Sequence, residues 1–196
     1  MGLLVAIAEG DHSAALRLLD ATPSLATTGL ARAEEQLIAQ RFAQVYEGDT
    51  ALHAAAFSYD ADMARELLGR GADVRARNRR GAEPLHSAMM GNPTSATWAP
   101  DAQRAVIVCL VEGGADPDAR AAGGVTPLHR AVRNRCSAAV EALLHAGADP
   151  RLANDAGSTA ADLATWTTGR GGTGSPEAKA EQRTITELLV RATRAD

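Results

Sequence analysis

The stretch Gly124-Val125-Thr126-Pro127-Leu128-His129-Arg130-Ala131, closed by Leu143-Leu144-His145-Ala146-Gly147-Ala148-Asp149, decides how this chain folds, because it is written more than once. The opening phrase returns as Gly48-Asp49-Thr50-Ala51-Leu52-His53-Ala54-Ala55, as Gly81-Ala82-Glu83-Pro84-Leu85-His86-Ser87-Ala88 and as Gly157-Ser158-Thr159-Ala160-Ala161-Asp162-Leu163-Ala164. The closing phrase returns as Leu67-Leu68-Gly69-Arg70-Gly71-Ala72-Asp73 and Leu110-Val111-Glu112-Gly113-Gly114-Ala115-Asp116. Gly48 and Gly81 are 33 positions apart, as are Gly124 and Gly157, whereas Gly81 and Gly124 are 43 apart, so one copy holds ten additional residues.

Each copy has a direct physical reading. Thr50 or Thr126 is an N-cap for a short helix whose first turn accepts proline, since the N–H lost there has no helical partner anyway. A second helix with apolar residues at helical spacing ends on a glycine suited to a left-handed cap. Asp-Pro and Asn-Arg-Arg-Gly segments turn the chain into the next copy. Neither helix buries its apolar face alone, so successive copies have to stack.

A period of 33 with Thr-Pro-Leu-His-x-Ala and Gly-Ala-Asp resembles the ankyrin repeat, strongly over residues 48 to 157 and weakly toward both ends. The resemblance implies an all-α solenoid of about five stacked helix-turn-helix units, counting an N-terminal and a C-terminal cap. The expected division is an N-capping unit over 1–26, a helical insertion over 27–47, units over 48–80, 81–123 and 124–156, and a C-capping unit over 157–196. Leu3 to Leu19 reads as two helices joined at Glu9-Gly10-Asp11-His12, and Ile185, Leu188, Leu189 and Ala192 share one face of the last helix.

Three insertions separate this chain from a generic repeat. In the first, Ala33, Leu37, Ile38, Arg41, Phe42 and Val45 suggest an extra amphipathic helix. The second, Asn92 to Pro100, and the third, Trp166 to Ser175, fall between the two helices of their units. Each contains a tryptophan, Trp98 or Trp166, and each ends at a proline able to start the next helix, with Ser175 a good N-cap before Pro176. The two tryptophans are candidates for partner contact, or else they cover the ends of their own helix pairs.

Composition agrees with closely stacked helices: 45% of residues are hydrophobic but only 3% aromatic, so the core has to be built from small and aliphatic side chains. A net charge of −4 is too modest to argue for wholesale nucleic-acid or membrane binding. Lys179 is the sole lysine, a bias that a GC-rich genome produces as readily as selection for arginine contacts. Cys109, in an apolar run, and Cys136, at a helix start, are expected as buried thiols rather than a disulfide. Met1 to Asp11 has no basic segment, and no run of about 20 apolar residues occurs, so the expected compartment is the cytoplasm.

Several motifs invite a catalytic reading and fail on context. Gly169-Arg170-Gly171-Gly172-Thr173-Gly174 matches a dinucleotide-binding fingerprint, but that motif works after a strand in a βαβ unit. An anion held by the Ser175 helix start beside Arg170 is the reduced form of that idea. His53, His86 and His129 recur once per unit, which sets them on different layers; the resemblance implies that each bonds backbone in the adjoining turn. His145 suits the negative end of its helix, and His12 is expected to face solvent. No Gly-x-Ser-x-Gly, His-Glu-x-x-His, Cys-x-x-Cys or Walker glycine-lysine sequence occurs, so no enzyme, cofactor or metal is expected.

The ankyrin resemblance implies binding through the turn tips and the exposed face of the first helices. By position, Arg75, Arg77, Arg79, Arg80, Arg120 and Arg151 fall on the tips, and Arg130, Arg133 and Arg135 on the groove side of the fourth unit. Such a surface is basic on an acidic chain. It points to an acidic protein partner, with a monomer and no membrane contact expected, against ordinary solvation of a charged face. Anion or nucleic-acid binding by the same groove and a scaffold role beside an enzyme are the rival readings; nucleic acid lacks an aromatic stacking platform here.

Overall fold

The computed structural model describes residues 2–31, 45–91, 98–165 and 175–194. Ten α-helices lie among them: α1 Gly2–Glu9, α2 His12–Ala21, α3 Ala51–Phe57, α4 Ala61–Gly69, α5 Pro84–Ser87, α6 Pro100–Glu112, α7 Pro127–Arg133, α8 Ser137–His145, α9 Ala160–Thr165 and α10 Pro176–Arg194. The described residues form no strand; two isolated bridges, Ala121 with Val125 and Ala153 with Thr159, close turns.

The helices pile up in two rows, as neighbours that cannot bury their faces singly must do. Helices α1, α3, α5, α7 and α9 pack in succession as an inner row, and α4, α6, α8 and α10 as an outer one. Ala51, Ala55, Ala56, Ala64, Ala88, Ala131 and Ala139 are completely buried, so small side chains let the helices of both rows approach closely. Between them sit Leu52, Leu67, Leu85, Ile107, Leu110, Leu128 and Leu143, all at most 1% exposed, in one apolar cluster that runs from Leu3 to Leu189. Cys109 and Cys136 are buried free thiols, and burial pushes Cys136 up to about 12, which keeps it an unreactive packing group.

Side chains cap the helices toward both ends of the described chain. Asp11 caps α2 by accepting from Ala14 N at 2.8 Å, and Ser175 Oγ accepts from Ala178 N at 3.3 Å at the start of α10. His12 is exposed, as expected, and lies 2.6 Å from Asp60 Oδ2. That carboxylate also caps α4 through Met63 N, so His12 ties α2 to the neighbouring outer helix. Arg70 adds a second tie, reaching Asp20 at 2.8 Å. Of the first insertion, Ala33, Leu37, Ile38, Arg41 and Phe42 lie outside the described residues; Val45 packs in a small apolar cluster with Leu4 and Ala8.

Candidate functional site

The basic face is built on a ladder that the repeated histidines hold together. His53 Nε2 lies 3.0 Å from Ala82 O, His86 Nε2 3.1 Å from Val125 O, and His129 Nε2 3.0 Å from Ser158 O. A carbonyl only accepts, so each Nε2 carries the hydrogen and each Nδ1 is left bare to accept from the backbone N–H of Thr50, Glu83 or Thr126 at 3.1 to 3.3 Å. Both ring nitrogens are therefore spent on backbone, one inside the unit and one in the next. This is a structural role and leaves no lone pair for a metal. The last copy, where aspartate replaces histidine, keeps the inner half only: Asp162 Oδ2 accepts from Thr159 N at 2.8 Å and from Thr159 Oγ1 at 2.7 Å.

Successive turn tips are stitched by single backbone hydrogen bonds, Arg79 N to Glu47 O at 2.7 Å, Ala122 N to Arg80 O at 2.9 Å and Asp155 N to Gly123 O at 2.9 Å. Buried Asn78 reinforces the first of these, donating to Asp49 Oδ1 at 2.8 Å while its own oxygen accepts from Arg80 N and Ala82 N. The side chains of Arg79 and Arg80 are thus presented from a rigid loop.

The nine arginines expected on this surface fall into two groups. Arg75, Arg77 and Arg151 are exposed but engaged: Arg75 Nε donates to Gly114 O at 3.1 Å, Arg77 pairs with Glu83 at 3.0 Å, and Arg151 pairs with Asp149 at 3.3 Å. Arg79, Arg80, Arg120, Arg130, Arg133 and Arg135 form no ion pair among the described residues. Arg135 lies beyond the end of α7, at a backbone φ of 58°, so it belongs to the turn into α8 and not to the helix face. Arg79 and Arg80 both stand over the ring of Tyr46, with guanidinium carbons 6.0 and 4.9 Å from its centroid. Arg130 is half-buried on α7, its guanidinium 3.4 Å from His86 O. Burial lowers its affinity for the proton, and the nearby Arg80 and Arg133 lower it further against the opposing pull of Tyr46 and Asp49.

Two residues of this surface escaped the sequence reading. Tyr46 precedes the first clear repeat and carried no motif. Glu83 stands where Thr50 and Thr126 stand in sister copies, a departure visible in the alignment of the phrases. It is 3% exposed, its Oε2 has no hydrogen-bond partner among the described residues, and burial raises its carboxyl above the usual range despite Arg77. Replacing it with the threonine of the other copies removes a poorly satisfied buried carboxylate at the cost of one half-exposed ion pair. Glu83→Thr is expected to raise stability by about 1 kcal/mol and Tm by about 2–4 °C. A lowered melting temperature would show that the Arg77 pair outweighs the burial cost.

Trp98 is half-buried against the apolar cluster and donates from Nε1 to Gln103 Oε1 at 3.0 Å; Gln103, fully buried, passes the bond on to Ala88 O at 2.8 Å. Its indole therefore covers the end of the α5–α6 pair. Trp166, the loop segment 92–97 and the glycine-rich loop 169–174 lie outside the described residues. Among the described residues no helix is long and apolar enough to cross a membrane.

Comparison with known proteins agrees with the architecture. Two models described as ankyrin repeats match, one of three copies over residues 3–99 and one of many copies over residues 110–164. The chain is 36% identical over 113 residues to neurogenic locus notch homolog protein 1 of Danio rerio, which is 58% of this chain and 4% of that protein. It is 38% identical over 117 residues to ankyrin repeat and SOCS box protein 16 of Mus musculus, 59% of this chain and 25% of that protein. It therefore spans a quarter or less of these relatives.

Proposed function

We propose, from the premise that this chain belongs to the ankyrin-repeat family, that it is a non-catalytic module that docks an acidic protein partner across its turn tips and inner helix row. Ankyrin repeats generally mediate protein–protein interaction, which sets the class of function. The observation that carries the finer reading is the group Arg79, Arg80, Arg130 and Arg133, which has no carboxylate partner among the described residues although the chain as a whole is acidic. Unpaired guanidiniums on a rigid surface speed association with acidic partners and penalise basic ones. A partner carboxylate that pairs with half-buried Arg130 gains more than one that meets an exposed arginine, because less water competes there.

Affinity capture from the native cell, read by mass spectrometry, tests this with the wild-type chain beside an Arg80→Glu/Arg133→Glu variant. Both positions are exposed and unpaired, so folding is expected to survive, which circular dichroism checks. The expected result is a protein retained by the wild type and lost by the variant. Equal retention by both would remove the basic surface from the binding site.

A further inference from the structure

The same four arginines say more about what they bind than that it is acidic. Arg79 and Arg80 share one face of the surface through the ring of Tyr46, and Arg130 lies within electrostatic range of Arg80 and Arg133. The carboxylate in range of Arg130 is Asp49, and it is already taken: it is 8% exposed, bound by Asn78 Nδ2 at 2.8 Å on one oxygen and by Tyr46 N at 2.6 Å on the other. Three exposed guanidiniums and one half-buried one are thus gathered without an ion-paired counter-charge among the described residues.

From this geometry we infer that the Arg79–Arg80–Arg130–Arg133 cluster beside Tyr46 is a recognition site for a phosphorylated side chain on the protein partner. The inference rests on the protein-binding reading above and deepens it. A phosphomonoester carries about −1.5 to −2 charges and three acceptor oxygens on one group, whereas a carboxylate brings one charge and two oxygens. Neighbouring guanidiniums suit the former, because their planar forks are bidentate donors to a concentrated dianion. Several carboxylates would need several backbone positions to deliver the same charge.

The site is compact and not a track, which is what separates a phosphorylated protein from a nucleic acid. A polyanion would run along the tips, yet Arg75, Arg77 and Arg151 are held by Gly114 O, Glu83 and Asp149, which leaves Arg120 as the tip arginine outside the cluster that forms no ion pair among the described residues. The Tyr46 ring at the site already has two guanidinium carbons within 6.0 Å of its centroid, which compete with a base for stacking.

The test uses the full chain and three fluorescein-labelled peptides, Asp-Asp-X-Asp-Asp with phosphoserine, glutamate or serine at X, followed by anisotropy at pH 7.5. The phosphoserine peptide is expected to bind at least about tenfold more tightly than the glutamate peptide. That advantage should shrink at pH 5.5, below the second phosphate pKa of about 6, with the glutamate peptide as the control for any change in the protein itself. Arg80→Gln and Arg133→Gln should each abolish the advantage, and Arg104→Gln, at a guanidinium paired with Asp101 and Glu141, should leave it intact. Equal binding of the phosphoserine and glutamate peptides overturns the phosphate site while leaving the acidic-partner reading in place, and no binding to any peptide overturns it as well. Tighter binding of a 20-nucleotide oligothymidylate, with a salt dependence of several phosphates, would assign the surface to nucleic acid instead.

Discussion

Acidification from pH 7 to pH 4.5 is expected to destabilise this protein progressively, with about 2 kcal/mol of stability lost through His86 alone. His86 is fully buried, and burial first, then the positive charge of Arg130, brings it down from 6.5 to about 4. In the unfolded chain it takes up a proton near 6.5, while in the folded chain it stays neutral until about 4. Between those values the unfolded state binds more protons, so stability is complete above pH 6.5 and falls as the pH drops toward 4. A shift of this size corresponds to about 3 kcal/mol by linkage. His53 and His129 are lowered in the same direction, burial being the main cause for both, and Asp49 opposing it for His53.

Protonation would also remove the Nδ1 lone pair that accepts Glu83 N, so the charged ring breaks a turn contact as well as meeting an apolar site. Glu83 and Asp118, raised by burial, act with the opposite sign at the acidic end of the window and soften the fall. The measurement is the urea midpoint by circular dichroism at pH 7, 6, 5 and 4.5. A midpoint that does not move above pH 5 would mean that the histidines titrate alike in both states.

Gly48→Ala is expected to cost about 3 kcal/mol or more, against about 1 kcal/mol for Gly147→Ala. Both glycines hold left-handed backbone, at φ of 85° and 89°, which alone costs an alanine about 1–2 kcal/mol. They differ in what a methyl group would meet. At Gly147 nothing lies within 4 Å, whereas at Gly48 the new Cβ would stand 2.9 Å from Asn78 Cα and 3.0 Å from Arg77 O. These are backbone atoms of the adjacent tip, which cannot swing aside as a side chain can. Displacing them strains the Arg79 N to Glu47 O bond and the Asn78 bond to Asp49. Paired thermal melts of the two variants check the difference, and equal melting temperatures would mean that the tips slide at little cost. The same displacement moves Arg79 and Arg80, so Gly48→Ala is also expected to weaken partner binding where Gly147→Ala does not.

The resemblance carried the histidine-to-next-turn bonds, the inward faces of the helices and the capping prolines, because each depends on residues a fixed number of positions apart. Repetition makes such local rules legible: a phrase that recurs has to make the same contacts in every layer. The short helices Ala51–Phe57 and Pro127–Arg133 follow from that logic, whereas the buried free cysteines were legible from their apolar surroundings.

Tertiary structure alone decided which arginines of the basic surface are spent and which are not. Arg75 is tied to Gly114, 39 positions on, and Arg130 lies against His86, 44 positions back, and no periodic rule specifies where a long, flexible guanidinium comes to rest. It also placed Tyr46, outside every repeated phrase, beneath Arg79 and Arg80. The sequence by itself set the scaffold, since stacking is governed by spacing; the arrangement of charge upon it emerged only when distant tips were brought side by side, because electrostatic partners are chosen by distance in space.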